Sequence, residues 1–228
     1  MASVVTDMII ATYTHSNVFD VVPSYISRLK KYCPFKNIFL TNKIMPNEVC
    51  FVYDDNKPFS EEYVRFLERL DNEFVIFSQE DQILYATIDN ESITDIVKFL
   101  QETEFHYCRL IRQQESKIMI YKDKYFLSDD KFSMQPTIWK RESLISLMKS
   151  VTVEKIFQEP QFDGVMKNFK GLYYYSGECK RGLNHYDSSI WPYIATAIVK
   201  GKWNFSEYPN ELGELFSEYN ITTKREFT

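Results

Sequence analysis

The sequence predicts a layered α/β domain, and three observations carry that reading. Short apolar runs such as DMIIAT (7–12) and EFVIF (73–77) lack alternation, as strands covered on both faces do. Amphipathic stretches lie between them, each long enough for a helix of about ten residues. Strands and helices that take turns in this way predict βαβ units around a mostly parallel sheet. At 228 residues the chain is expected to form one domain, 1–228, with a full core.

DMIIAT opens as a buried first strand. Val22, Tyr25, Ile26 and Leu29 then stand at i, i+3, i+4 and i+7, and Pro23 fits a first helical turn. NIFLTN (37–42) and VCFVYDD (49–55) read as strands. Ser60 is the expected cap of a second helix carrying Tyr63, Phe66, Leu67 and Leu70, with Glu61 and Glu62 at its positive end. EFVIF is the next strand, and Ile93, Ile96, Val97 and Leu100 mark a third helix. HYCRLIR, KIMIYK and KYFLS are shorter and closer together, which suits an antiparallel section; a helix with Leu144, Leu147 and Met148 follows. From about Phe162 the texture changes, with all six glycines and two of the three tryptophans in a loop-rich last third.

Composition excludes several classes. A net charge of −5 gives no general attraction to a nucleic-acid backbone, so no nucleic acid is expected as partner. The four cysteines form no CxxC pair and read as reduced thiols. No basic, apolar leader and no membrane-length run is seen, so a soluble, cytoplasmic protein is expected. No glycine precedes Gly164, which removes a dinucleotide fingerprint or a P-loop after the first strand. Neither GxSxG nor HExxH occurs, and three histidines make a histidine-rich metal site improbable.

What remains is FSQEDQILY (77–85), in which Glu80 and Asp81 interrupt segments with a buried character. Following EFVIF directly, they should lie at the carboxyl end of a central strand, where open α/β sheets bind ligands. Two hard oxygen donors there suit Mg²⁺ or Mn²⁺ beside a nucleotide diphosphate. The competing reading is a turn cap and a solvated neighbour.

IIATYTHS (9–16), VYDD (52–55), FSQEDQILY and QPTIWKRESL (135–144) resemble, in this order, the landmarks of GT-A-fold glycosyltransferases, in particular small ones of large DNA viruses and of bacterial surface-glycan clusters. The acidic motif reads QED where many of those enzymes have DxD. The resemblance implies a GT-A-like, Rossmann-like layered fold with helices on both faces and a smaller antiparallel, loop-rich C-terminal part. It implies transfer of a sugar from a nucleoside-diphosphate sugar, UDP favoured, to a glycan or glycoprotein acceptor, assisted by Mn²⁺ or Mg²⁺. Thr12 and Tyr13 would border the nucleobase, Asp54 or Asp55 would bond the base or ribose, and Glu80 and Asp81 would stand at the metal and donor sugar, with Asp81 coordinating directly.

An inverting enzyme needs a carboxylate to take the proton of the acceptor hydroxyl. Glu142 starts a predicted helix where enzymes of the resembled family often present that base, so the resemblance makes it the choice, against the bland reading of an acid placed by the helix dipole. In GECKRGLNHYDSSIWPY (177–193), Lys180 and Arg181 would close on the diphosphate, His185 would complete the metal shell or touch phosphate, and Asp187 would bind a sugar hydroxyl or serve as alternative base. A solvated loop and a structural histidine are the plain alternatives there. Trp203 suits a sugar face, or an anchoring role like that of Trp191. Two further functions stay open: a non-catalytic glycan- or protein-binding module, and a glycoside hydrolase using Glu80 with Glu142.

Overall fold

The computed structural model describes residues 8–112, 118–155, 159–181 and 185–228. The MASVVTD start, the first residue of KIMIYK and Gly182 of the KRG stretch lie outside them. A nine-stranded sheet forms the centre of the molecule. Its strands are β1 (Met8–Tyr13), β2 (Lys36–Thr41), β3 (Cys50–Val52), β4 (Phe74–Gln79), β5 (Tyr107–Arg109), β6 (Met119–Tyr121), β7 (Tyr125–Leu127), β8 (Thr137–Lys140) and β9 (Gly171–Tyr174), in the order β3-β2-β1-β4-β8-β5-β9-β7-β6. Only β8 and β7 run against the other seven, so the sheet is mostly parallel.

Helices cover both faces, as the apolar spacing requires. Val22, Tyr25 and Leu29 of α1 (Val22–Tyr32) and Ile93, Ile96, Val97 and Leu100 of α3 (Asn90–Glu102) pack on one face. Tyr63, Phe66 and Leu67 of α2 (Phe59–Leu67) and Leu144, Leu147 and Met148 of α4 (Arg141–Lys149) pack on the other. Burying each such side chain stabilises the fold by roughly 1.5–3 kcal/mol. Pro23 stands in the first turn of α1, and Asp89 caps α3 by accepting from the N–H groups of Glu91 and Ser92.

Ser60 is not the cap of α2. The helix begins at Phe59 with Pro58 at the cap position, and the buried Ser60 hydroxyl accepts from Val153 N–H at 3.1 Å, tying α2 to the segment after α4.

The antiparallel section is the β6–β7 hairpin, turned by Lys122 and Asp123 with positive φ, whereas β5 pairs antiparallel with β8 and parallel with β9. Beyond α5 (Asp163–Met166), β9 returns to the main sheet. The remainder is two small antiparallel hairpins, β10 (Lys180–Arg181) with β11 (His185–Tyr186) and β12 (Ile198–Val199) with β13 (Lys202–Trp203), followed by α6 (Pro209–Tyr219). Leu212 and Leu215 of α6 join the core on the α1/α3 face. Among the described residues, no helix is long and apolar enough to cross a membrane.

Candidate functional site

The strand order decides where a ligand finds room. From β1 the chain moves outward through β2 to β3, then crosses back to place β4 on the other side of β1. Connections leave these two neighbours in opposite directions, which opens a crevice at their carboxyl ends. Thr14, His15, Glu80 and Asp81 follow those ends directly.

Glu80 and Asp81 turn the chain just after β4. Both keep some accessible surface, yet protein surrounds them closely. Burial pushes both carboxyls well above the usual range, and in Glu80 the charge of Asp81 adds to it. The Ile198 N–H bonds the Asp81 carboxylate, and the Asp81 carbonyl accepts from Ala197 N–H at 3.0 Å, so β12 holds this turn from above. Thr14 is wholly buried and close enough to favour ionised Glu80, but its hydroxyl has no partner at hydrogen-bonding geometry among the described residues. Arg225 adds a positive field at Glu80 while its guanidinium is held by Asp20 at 2.7 Å. Among the described residues, no arginine pairs with Asp81.

Beside the pair lies an aromatic hollow. Tyr13 stacks on Tyr53 with centroids 5.6 Å apart, meets Phe59 edge-on, and its hydroxyl lies 3.1 Å from that of Tyr53. Asp55 lines the same hollow, accepts from Asn42 Nδ2 at 2.8 Å and faces His15 Nε2 at 3.5 Å. His15 in turn caps the 3-10 turn Ser16–Val18 by accepting from Asn17 N–H. A larger apolar cavity of about 510 Å³ follows α1 past Leu29 and Phe35 and holds none of these acids.

Several expected residues stand elsewhere. Thr12 points to the α1 face, where it bonds Tyr25 and Asn37 and reaches no crevice. Asp54 makes the turn itself, accepting from the N–H and side chain of Asn56. Glu142 is on the wrong rim: β8 runs antiparallel and Lys140 pairs with Phe74, so α4 starts at the amino end of β4. Five residues of β4 at ~3.3 Å each put about 17 Å between that rim and the acid pair. There Glu142 is 75% exposed and paired with Arg141 at 2.7 Å.

The β10–β11 hairpin partners itself. Arg181 is engaged by Asp187 at 3.1 Å and Glu211 at 2.7 Å over the Tyr208 ring, while Lys180 is exposed. His185 faces Glu207 at 2.9 Å and Thr196 at 3.3 Å, one residue from the Ala197 that binds the Asp81 carbonyl. Among the described residues, no three His, Cys, Asp or Glu side chains cluster as a ready metal cage; His185 is paired with Glu207, and Asp81 is held by the Ile198 N–H. Trp191 and Trp203 are buried; Trp203 meets Phe216 edge-on and bonds Thr223, so it offers no face to a sugar.

The structure adds residues that no motif announced. Gln82 accepts from Gln79 N–H at 3.0 Å and donates to the Met134 carbonyl at 2.8 Å, joining the β4 turn to the segment before β8. Met134 N–H is bonded by Glu159 at 2.7 Å, and burial raises the Glu159 carboxyl. No sequence signal marks Glu159, because its place depends on a contact between segments 25 residues apart.

No protein-family model matches the sequence. DNA polymerase 1 of Sulfurisphaera ohwakuensis is 31% identical over 103 residues, 43% of this chain. The chain spans only 11% of that protein's length. A solved structure of CMP:2-keto-3-deoxy-manno-octonic acid synthetase complexed with CTP superposes with a TM-score of 0.53 at 9% identity, covering 94% of this chain and 98% of that one. TarS 1–349 of S. aureus does so with 0.50 at 12% identity, over 96% and 67%. The fold is GT-A-like. In this GT-A-like frame the crevice at β1 and β4 is the place where strand order and buried acids coincide.

Proposed function

We propose that the protein is a nucleotide-sugar-dependent glycosyltransferase that works with a divalent cation. One observation carries the reading: two adjacent carboxylates, short of solvent and disfavoured as anions, stand at the switch point of the sheet. Such a pair gains from a cation, and the hard oxygens of Asp81 and Glu80 suit Mn²⁺ or Mg²⁺. With no third His, Cys, Asp or Glu clustered beside them among the described residues, the remaining positions would go to water and to the donor's diphosphate, the usual manner of Mg²⁺. When bound, the ion would neutralise charge on the leaving diphosphate.

The chain's own groups fit the rest of a donor. Half-buried Tyr13, backed by the buried Tyr53 and Phe59, offers a stacking face, and Asp55 with Asn42 offers an acceptor and a donor for a base or ribose. The CTP bound to the similarly folded synthetase supports a nucleotide on this fold. Lys180 remains our candidate for the diphosphate; Arg181 would first have to leave Asp187 and Glu211. UDP is the favoured nucleotide, and a glycan or glycoprotein is the proposed acceptor.

Thermal unfolding tests this. At a ligand concentration a hundredfold above Kd, UDP with Mn²⁺ should stabilise the protein by about 2.7 kcal/mol. That corresponds to roughly 5–10 °C in a chain of this length. Asp81→Ala should abolish the gain. Absence of a shift with UDP, GDP and CDP, each with Mn²⁺ and with Mg²⁺, would remove the proposal.

A further inference from the structure

We propose that Glu159 is the base that takes the proton from the attacking acceptor hydroxyl. The assignment rests on the glycosyltransferase reading above and names a residue for the step that Glu142 is too distant to perform.

The sheet order acts as a ruler along the rim. The aromatic hollow and Asp55 lie beyond β1, the acid pair follows β4, and the Met134 segment leads into β8 next to β5. A nucleotide held over Tyr13 with its diphosphate at Glu80 and Asp81 would extend its sugar along this rim toward the β8 side, where Met134 and Glu159 stand. In a displacement with inversion the nucleophile arrives opposite the leaving group. Glu159, tied to Met134, which accepts from Gln82 beside the acid pair, stands on the β8 side from which that approach would come.

Its placement is built. Phe162, in the same 3-10 turn (Glu159–Phe162), stacks on Phe132 at 4.3 Å, and Phe132 meets Phe77 of β4 edge-on at 5.8 Å. The turn is thus clamped to the strand that carries the acid pair. Met134 N–H fixes Oε1 at 2.7 Å, and among the described residues Oε2 has no partner. Arg109 of β5 and Asp163 of α5 are the charged groups facing the carboxyl, and Arg109 itself is committed to Asp129 at 3.3 Å and the Lys131 carbonyl.

Other acids along the rim are engaged. Asp187 and Glu211 hold Arg181, Glu207 holds His185, and Asp55 holds Asn42. Burial also raises the Glu159 carboxyl, which makes it a better proton acceptor.

The step balances simply. Glu159 Oε2 accepts the hydroxyl proton as the acceptor oxygen bonds the anomeric carbon, and the bond from that carbon to the diphosphate breaks with its electron pair leaving on the diphosphate. Water in place of the acceptor follows the same path and yields hydrolysis.

The test uses the full chain with Mn²⁺ and UDP-glucose, UDP-galactose and UDP-N-acetylglucosamine, reading hydrolysis and, separately, stabilisation by UDP. Glu159→Gln keeps an oxygen for Met134 N–H, so it should fold and bind UDP as the wild type does. Hydrolysis should fall about 10²–10⁴-fold, the usual share of a general base. Glu159→Asp should recover part of it. Azide has no proton to lose, so the Gln variant should transfer sugar to azide at the wild-type rate. The acid limb of the wild-type rate profile should vanish in the variant.

Hydrolysis within fivefold of wild type, loss of UDP stabilisation in step with activity, or failure with azide would each overturn the assignment. A wild type that binds no nucleoside diphosphate overturns the donor reading and this step with it. Normal UDP binding with unchanged Gln-variant activity removes Glu159 alone.

Discussion

At the scale of single residues, the carboxylates of Glu80 and Asp81 explain why the β4 turn is conditional on its surroundings. A surface acid is ordinarily ionised at neutral pH without cost. Here burial opposes that charge, and two neighbours oppose each other. Because their folded-state pKa values lie above the unfolded ones, the native state binds more protons than the unfolded chain between the ordinary carboxylate range and mildly alkaline pH. Stability must then fall as pH rises through that window, the reverse of a salt-bridged acid. Without divalent cations, wild-type melting temperature should drop with rising pH relative to Glu80→Gln or Asp81→Asn. Each variant should also melt at least about 2 °C higher at pH 8, the shift that ~1 kcal/mol gives in a chain this long. Melting curves of the three proteins in EDTA from pH 5 to 8.5 decide it; a wild type that gains stability on alkalinisation relative to the variants would show that the pair is solvated. The sequence points to this pair because apolar flanks on both sides betray partial burial. It is silent on Thr14 and Gln82, whose importance comes from partners brought in by folding.

At the scale of elements, local patterns are legible and tertiary partners are not. The three helices with i, i+3, i+4, i+7 spacing and the fourth with i, i+3, i+4 all form and bury their apolar faces, with Ile26 only half-buried and Leu70 beyond the end of α2. Ser60 misleads because a hydroxyl before a helical run satisfies a capping pattern as well as a tertiary bond, and only the fold brings Val153 to it. Strand partners are harder still. The register of β5 with β9 sets Tyr107 opposite Gly171, and a Cβ there would run into the Tyr107 ring. That ring is stacked on Trp139 at 4.3 Å and its hydroxyl bonds Ser128, so it has no room to yield. Gly171→Ala should therefore cost about 1–3 kcal/mol through overpacking. Tyr107→Leu frees the space, so the double variant should be less destabilised than the sum of the single ones. Urea unfolding of the four proteins gives the coupling; additive costs would mean that the close approach is relieved elsewhere.

At the scale of the whole molecule, function follows strand direction. Alternating strands and helices foretell the parallel half of the sheet and hence a rim where ligands gather, but no local pattern states that β8 enters from that rim and leaves at the other. Glu142 suggests a catalytic base through the resemblance to GT-A enzymes, which often present one at the start of such a helix, and that expectation places the helix start at the crevice. An antiparallel strand delivers it to the opposite edge, while the segment before that strand, with Met134 and through it Glu159, reaches the crevice instead. The two glutamates thus make a matched comparison within one protein. Glu142→Gln removes an exposed charge paired, among the described residues, with Arg141, so stability should change by no more than about 0.5 kcal/mol. Donor hydrolysis should stay within twofold of wild type, because the acid pair stands at the opposite rim of the sheet. The measurement is a side-by-side rate for Glu142→Gln and wild type with UDP-sugar and Mn²⁺. A tenfold loss with UDP binding retained would place the reacting centre on the amino rim and remove the rim assignment from which every other site residue was derived.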